Sequence, residues 1–280
     1  MTDRRLLPFS GRVAHESLRG QIEAPAYTAG EPARIGAMLV DLALDPGGPR
    51  ERQWLHGAVV TVIERRDGFA FAQAALDGAC GWVPEVALAE PVTATHVVAT
   101  RGTHLYREAS IKRGELGALS LGARIAVLGQ EGALARTPEG FVPASHLRPL
   151  AEPEPDPVAV AERLIGTPYL WGGNSGAGID CSGLVQLAFT LAGRACPADS
   201  DQQRAAFGDF LPEGVPTARG DLFFWAGHVA IAQDDTAVLH ANGHAMQVSR
   251  EPIDACLARI ATTEGSRYFG RKRPGLANKG

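Results

Sequence analysis

The sequence predicts two small all-β domains followed by an α+β domain. Residues 151–157 alternate proline with acidic residues, a pattern typical of an extended linker, because proline interrupts helices and central strands. Before this linker, two series of short strand patterns end in matching motifs, Gly81-Trp82-Val83-Pro84 and Gly140-Phe141-Val142-Pro143. After it, a capped helix pattern precedes three short apolar runs, which together indicate a mixed α+β domain.

Each β domain is assigned from its strand and turn pattern. The first, residues 35–91, contains apolar runs at 37–42, 58–64, 68–73, 81–84 and 86–88. The second, residues 92–150, repeats the order at 96–98, 105–106, 123–128 and 140–143. Short strands separated by Gly and Asp turns favour two small barrels over the alternative, one irregular β domain. Residues 1–34 lack sustained periodicity and are expected to form an N-terminal extension.

Composition narrows the class of protein. The chain has 280 residues, 45% of them hydrophobic, and a net charge of −4, so a nucleic-acid binder of the basic-patch type is not expected. The basic run at 271–273 is interpreted as a solvated tail. No apolar run is long enough to span a membrane, and no export signal is recognised, so a cytoplasmic location is expected. Four cysteines without CxxC spacing predict neither a disulfide framework nor a structural zinc site.

The first candidate catalytic residue is Cys181. A glycine-rich loop leads into Asp180, a good N-cap, and the apolar run that follows ends before Gly193, a good C′ residue. Cys181 therefore falls in the first turn of a predicted helix. The partial positive charge and free N–H groups of a helix N-terminus are expected to lower the pKa of the thiol and to stabilise an oxyanion. The alternative is a buried structural cysteine.

Two histidines supply the expected partners of the thiol. His228 opens one strand pattern and His240 closes the next. They share a face of the hairpin if its loop has an odd number of residues, for example with Gln233 opposite Ala237, which makes His228 the diagonal neighbour of His240. His228 would then act as the base and His240 would orient its ring, the arrangement of an activated nucleophile. The alternative for each histidine is a surface or satisfied core residue.

The segments Tyr169-Leu170-Trp171-Gly172-Gly173, Asp180-Cys181-Ser182-Gly183-Leu184-Val185 and Gly227-His228-Val229-Ala230-Ile231 resemble the NlpC/P60 family of papain-like cysteine peptidases. The resemblance covers roughly residues 157–270 and implies a papain-like catalytic domain, taken as 158–275. It also implies cleavage of peptidoglycan stem peptides by a triad of Cys181, His228 and His240, with Tyr169 near the oxyanion.

The β domains narrow the resemblance. They look like tandem bacterial SH3 domains, and the whole chain resembles γ-D-glutamyl-L-diamino acid endopeptidases that act on free muropeptides. This resemblance implies recognition of a free N-terminal L-Ala by Asp199 and Ser200, with Trp171 and Ser182 as pocket walls. A carboxylate suits an ammonium group, although Asp199 could equally be a helix N-cap. The family's tyrosine before Gly81-Trp82 is missing here, so the first domain's contribution to the pocket is left open.

Several alternatives stay open. The chain could be a wall hydrolase acting on intact peptidoglycan, or a catalytically inert SH3-based binding module. A metal site at Cys181, His228 and His240 is not expected, because their spacing lacks a ligand signature, and no cofactor is expected. The sequence leaves open the diamino acid, the oligomeric state and the role of residues 1–34.

Overall fold

The computed structural model describes residues 3–275, so residues 1–2 of the expected extension lie outside it. The chain forms two compact units, the first ending at Glu152 and the second beginning at Pro153. This division lies within the predicted linker, 151–157. Among the described residues, no helix combines the length and apolarity that a membrane span requires.

The first sheet of the N-terminal unit has seven strands in the order β5-β4-β8-β7-β6-β3-β9. Two earlier strands of the chain, β1 and β2, form a separate parallel pair. Alternate side chains of the sheet point inward, and Ile35, Val40, Val62 and Val83 lie in its core. The strands of this region are β1 Val13–His15, β2 Ala26–Thr28, β3 Glu31–Ile35, β4 Leu39–Ala43, β5 Arg50–Leu55, β6 Val59–Arg66, β7 Phe69–Ala74, β8 Cys80–Pro84 and β9 Leu88–Ala89.

The sequence patterns do not predict β3 or β5. β3 begins in the segment expected to be an extension, and it contains Pro32, which argues against a central strand. The structure accommodates this proline because β9 pairs only with Arg34 and Ile35, so the start of β3 has a free edge. A search for apolar strand patterns misses β5, because its buried positions include Arg52 and Gln53, which are charged or polar.

A second set of strands begins at His96 and forms a three-stranded sheet, β13-β10-β17, and a five-stranded sheet, β12-β11-β16-β15-β14. Val98, Leu105, Ile125 and Val142 from both sheets share one apolar core. These strands are β10 His96–Val98, β11 Gly102–Tyr106, β12 Glu115–Ser120, β13 Arg124–Ile125, β14 Gly129–Glu131, β15 Leu134–Arg136, β16 Phe141–Pro143 and β17 Leu147–Pro149.

The repeated closing motif has the same local structure in both sets of strands. β8 is followed by a 3₁₀ turn, Glu85–Ala87, and then by β9. β16 is followed by a 3₁₀ turn, Ala144–His146, and then by β17. The internal similarity detected in the sequence is therefore a similarity of structure.

The C-terminal unit is α+β. A five-stranded antiparallel sheet has the order β23-β22-β21-β20-β24, and a small hairpin joins β18 to β19. Helix α2 packs against β21 and β22 of this sheet. The helices are α1 Pro157–Glu162, α2 Cys181–Leu191, α3 Ser200–Ala206 and α4 Ile253–Arg259; the strands are β18 Asn174–Ser175, β19 Gly178–Ile179, β20 Leu222–Trp225, β21 His228–Ala232, β22 Ala237–Asn242, β23 Gln247–Pro252 and β24 Tyr268–Lys272.

The interpretation of residues 271–273 as a solvated tail is wrong. Lys272 is buried at the end of β24 and donates to the carbonyls of Arg204 and Gly208, each at 2.5 Å. Arg273 binds both oxygens of Asp221 at 2.7 and 2.9 Å, and the Arg271 guanidinium lies 3.2 Å from the same carboxylate. Asp221 is fully buried. A buried carboxylate requires paired charge, so the basic run completes the domain.

Candidate active site

Asp180 builds the turn that presents Cys181. Its Oδ1 accepts the backbone N–H of Gly183 at 2.7 Å and the hydroxyl of Ser182 at 3.0 Å, while Oδ2 accepts the N–H of Gly172 at 2.9 Å. Cys181 is the first residue of α2, and Gly193, with φ of 71°, follows its C-cap. The predicted N-cap and C′ residues are confirmed, and the capping aspartate also fixes the preceding loop.

A glycine two residues after the cysteine lets that loop approach the helix. A β-carbon at Gly183 would lie 2.7 Å from the carbonyl oxygen of Gly173. This distance is shorter than real contacts allow, so a larger residue would push the loop away from the first turn of α2. The glycine-rich loop and the thiol are therefore held together by backbone packing as well as by Asp180.

Burial dominates the electrostatics of Cys181. It raises the pKa of the thiol to about 12, and the charge on Asp180 acts in the same direction. The backbone N–H groups of Val229, Ser182 and Cys181 favour the thiolate but do not offset burial. The expectation of a lowered thiol pKa is therefore wrong. The helix N-terminus is present as predicted, but removal of water outweighs it.

The strands that carry the two histidines pair in the register that the sequence predicts. A two-residue turn at Ala226 and Gly227 places His228 at the start of β21, where Gly227 adopts a φ of 77°. Ile231 pairs with Leu239, and the N–H of Gln233 donates to the carbonyl of Ala237. This register confirms the predicted odd-numbered loop.

The register brings the two imidazoles together. His228 Nε2 lies 2.9 Å from His240 Nδ1, a hydrogen-bond distance. His240 is fully buried, whereas His228 is partly exposed. The Val229 N–H, next to His228, reaches the Cys181 thiol, so β21 connects the three predicted catalytic residues.

His228 is uncharged near neutral pH. Burial, followed by the nearby His240 and Arg259, lowers the pKa of His228 to about 3, and the opposing effect of Glu251 is smaller. A neutral imidazole has a lone pair available to accept a proton. The resting pair is therefore a neutral thiol and a neutral base.

Two residues that sequence reasoning missed extend the hydrogen-bond network of the two histidines. His240 Nε2 lies 3.0 Å from Glu251 Oε2, and Arg259 donates to both oxygens of Glu251 at 2.8 Å. Hydrogen bonding to Arg259 lowers the pKa of Glu251 to about 2, so this residue is ionised. Because His240 pairs with Ser249 and Val238 with Glu251, the β22–β23 register contained the signal for this contact.

An open cleft of about 660 Å³ lies beside His228. The predicted oxyanion residue, Tyr169, lines it together with His228, Asn242, His244, Thr263 and Ser266. The backbone N–H of Tyr169 donates to the carbonyl of Met246 at 2.9 Å, which fixes this wall. Tyr169 and the base therefore face a common space large enough for part of a peptide. Trp171 is 58% exposed, outside the residues that line the cleft.

The other predicted binding residues lie at two helix starts. Ser182 is buried and its hydroxyl donates to Asp180, so it helps to form the turn. Asp199 is the N-cap of α3, where it forms a capping box with Gln202, and Ser200 begins the helix. The missed residue Gln203 is fully buried and donates to the carbonyls of Ser182 and Pro197, each at 2.9 Å. Gln203 thus joins the start of α3 to that of α2.

One cluster has the residue types of a metal site. Ligand atoms of His240, Glu251 and Cys256 lie within 4.8 Å of one another. Both carboxylate oxygens of Glu251 already accept hydrogen bonds from Arg259, whose positive charge would oppose a metal cation. We therefore interpret this cluster as a hydrogen-bond network.

Comparison with known proteins agrees with the two-part organisation. Residues 166–262 match the NlpC/P60 family, and residues 43–88 match the bacterial dipeptidyl-peptidase SH3 domain. A crystal structure of an NlpC/P60 family protein from Bacillus cereus shares the fold, with a TM-score of 0.71 at 20% identity over 87% of this chain and 99% of that one.

Two curated relatives are similar over part of their length. Dipeptidyl-peptidase 6 of Lysinibacillus sphaericus is 35% identical over 105 residues, which are 35% of this chain and 35% of that protein. Gamma-D-glutamyl-L-lysine dipeptidyl-peptidase of Bacillus subtilis is 39% identical over 88 residues, 30% of this chain and 27% of that protein. The aligned regions thus span about a third of the first relative and about a quarter of the second. The chain contains an NlpC/P60 family domain, preceded by a bacterial SH3 domain.

Proposed function

We propose that the protein is a cysteine endopeptidase that hydrolyses the bond between γ-D-Glu and the diamino acid of free muropeptides carrying an N-terminal L-Ala. The observation that carries this proposal is the 2.9 Å hydrogen bond between His228 and His240 beside a helix-start cysteine. The similarity to a relative named for a γ-D-glutamyl-L-lysine bond supports the choice of substrate.

Acylation begins with transfer of the Cys181 proton to Nδ1 of His228. The sulfur attacks the γ-carbonyl carbon of D-Glu, a C–S bond forms, and the carbonyl electrons move to the oxygen. The Cys181 N–H at the helix start and the Tyr169 hydroxyl stabilise this oxyanion. Collapse of the intermediate breaks the C–N bond, and His228 returns the proton to the leaving amine of the diamino acid.

Deacylation uses the same groups with water as the nucleophile. His228 accepts a proton from water, and the hydroxide oxygen attacks the thioester carbonyl. When the C–S bond breaks, His228 returns the proton to Cys181, and the L-Ala-γ-D-Glu acid leaves. His240 hydrogen-bonds to the imidazole of His228 and keeps it oriented throughout both steps.

Specificity for a free N-terminus is assigned to Asp199. Its carboxylate is partly exposed and lies at the start of α3, which Gln203 holds to the first turn of α2. A carboxylate pairs well with the ammonium group of L-Ala, and a charge-assisted hydrogen bond contributes about 1.5–3 kcal/mol. Loss of that contact therefore corresponds to a decrease of about 10- to 150-fold in kcat/KM.

This assignment predicts that N-acetylation of L-Ala-γ-D-Glu-diaminopimelate lowers kcat/KM by about 10- to 150-fold, because it removes the ammonium charge. Asp199→Asn is expected to impose a similar loss on the free peptide only, since asparagine is also a good N-cap. Asp201→Asn, at an exposed position of α3, is the matched control and should cleave both peptides as the wild type does.

Equal cleavage of the free and acetylated peptides by the wild type would contradict the ammonium contact. Cleavage of intact sacculi together with the acetylated peptide would instead favour the wall-hydrolase alternative. Location in the cytoplasm is part of the muropeptide proposal, and fractionation of cells that produce the protein at its natural level tests it.

The lowered pKa of His228 gives a separate prediction for the pH profile. Protonation of His228 removes the base, so activity is lost only as pH falls toward the low pKa of this residue. We expect the acid limb of kcat/KM to lie well below the ordinary histidine value of about 6.5. Initial rates at low substrate concentration from about pH 4 to 9 show whether kcat/KM falls around the ordinary histidine value or stays high through that region. A limb centred near the ordinary value would contradict the low pKa.

A further inference from the structure

With His240 as the third catalytic residue, the ring nitrogen that carries its proton has to be specified. An asparagine or aspartate would not raise this question. Neutral imidazole has one protonated and one unprotonated nitrogen, and either can face a neighbour. If Nδ1 of His240 carried the proton, it would donate to Nε2 of His228 and leave the proton of His228 on Nδ1. His228 could then not accept the thiol proton at Nδ1. Some other group must therefore select the tautomer of His240.

We propose that Glu251 and Arg259 are positioning residues that select the reactive tautomers of both histidines. Glu251 holds the proton of His240 on Nε2, and Arg259 holds Glu251 in the orientation that does so. The proposal rests on the cysteine-peptidase function proposed above, because it assigns His228 the role of base.

The tautomers follow from the donor and acceptor character of each group. An ionised carboxylate only accepts hydrogen bonds, so the short contact between Glu251 Oε2 and His240 requires a proton on His240 Nε2. In the proposed arrangement His240 is neutral, so its Nδ1 is an acceptor, and the 2.9 Å contact then places a proton on His228 Nε2. Neutral His228 is left with a lone pair on Nδ1, the atom needed for the base.

The guanidinium of Arg259 is the second positioning group, after the carboxylate of Glu251. Its two donors meet both oxygens of Glu251, a bidentate geometry that restricts rotation of the carboxylate. The groups that face His240 include His228 from β21, Glu251 from β23 and Cys256 from α4, and Arg259 of α4 contacts the far side of this set through Glu251. Glu251 supplies the negative charge among them, and it opposes the positive charge of Arg259.

The same arrangement affects the imidazolium that forms when His228 accepts a proton. The negative charge of Glu251 favours protonation of His228, whereas the positive charge of Arg259 disfavours it. Removing only the charge of Glu251 would leave Arg259 unopposed. The proposal therefore predicts a loss in the chemical step as well as a change in tautomer.

The first test compares Glu251→Gln with Glu162→Gln. A glutamine at 251 can present either its oxygen or its amide NH₂ to His240, so both tautomers become populated. We expect kcat to fall by about 10- to 100-fold with little change in KM, the size of effect typical of groups that orient catalytic ligands. Glu162 also accepts two hydrogen bonds from one arginine, Arg219, outside the histidine network. Its variant should keep the wild-type kcat.

A double variant separates charge from architecture. In Glu251→Gln/Arg259→Gln the unopposed positive charge is removed, so we expect kcat to recover by several-fold relative to Glu251→Gln. If the Glu251–Arg259 pair only connected β23 to α4, kcat would not recover, because the double variant lacks this pair just as Glu251→Gln does. Failure of the double variant to exceed Glu251→Gln would overturn the electrostatic part of the proposal.

Histidine ¹⁵N NMR measures the tautomers without substrate. We expect Nε2–H forms of His228 and His240 in the wild type and mixed forms in Glu251→Gln, with assignments from His228→Gln and His240→Gln. If Glu251→Gln does not fold, Arg259→Lys takes its place and should retain the Nε2–H signal of His240 with a several-fold lower kcat.

The outcomes distinguish the two proposals. Unchanged tautomers and unchanged kcat in the position-251 or position-259 variant would overturn the role of Glu251 and Arg259, even if the wild type cleaves the muropeptide. A tautomer change in an enzyme that cleaves no muropeptide would support the role of Glu251 and contradict the proposed substrate.

Discussion

Cys181→Ala is expected to abolish peptide hydrolysis, with kcat lower by at least about 10⁴-fold, because the variant retains the cleft and the base but has no atom to form the acyl intermediate. Initial rates with L-Ala-γ-D-Glu-diaminopimelate measure the loss. Thermal unfolding should change little in comparison, since the substitution removes a single sulfur atom.

Cys80 provides a closely matched control. It is buried like Cys181, and burial raises the pKa of each thiol to about 12. Cys80 belongs to β8 of the N-terminal unit, whereas His228 and His240 belong to the C-terminal unit. Cys80→Ala should therefore retain full activity. Equal loss in both variants, or substantial hydrolysis by Cys181→Ala, would contradict the assignment of the nucleophile.

Asp221→Asn is expected to lower the free energy of unfolding by about 3 kcal/mol or more. The substitution leaves Arg273 and Arg271 facing a neutral amide at a fully buried position, and breaking a buried ion pair from one side typically costs about 3–5 kcal/mol. Chemical denaturation of the full chain measures the change, with far-UV circular dichroism reporting on both units.

The exposed Asp235 in the β21–β22 loop provides the comparison. Asp235→Asn removes the same charge from the same domain and should change the free energy of unfolding by less than about 0.5 kcal/mol. Equal stability of the two variants would show that the two arginines do not need Asp221.

The parts of the site that could be predicted are those set by local chemistry. Asp180 and Gly193 mark the ends of α2 because capping preferences act within a few residues. The hairpin between β21 and β22 was predictable in register, since the loop length decides which side chains share a face. The helix start predicts the position of Cys181, and the hairpin register predicts the contact between His228 and His240.

The parts that could not be predicted depend on longer-range packing. Glu251 contacts His240 only because a second hairpin adds β23 in a particular register, and Arg259 reaches it from α4. The pKa of Cys181 depends on how much water the whole domain excludes, so the helix start alone gave the wrong direction. Lys272 was predicted to be solvated because the basic run alone does not show that a distant residue, Arg204, supplies a carbonyl acceptor for it.

The position of β24 has a consequence for how the protein is made. This strand, Tyr268–Lys272, pairs with β20, Leu222–Trp225, whose other neighbour holds His228. A ribosome releases the chain from its N-terminus, so β20 emerges before its partner and waits with one edge unpaired. The C-terminal unit can complete its sheet only after residue 272 has left the ribosome. Until residue 272 is released, a nascent chain therefore exposes the unpaired edge of an apolar strand, which is open to pairing with other chains.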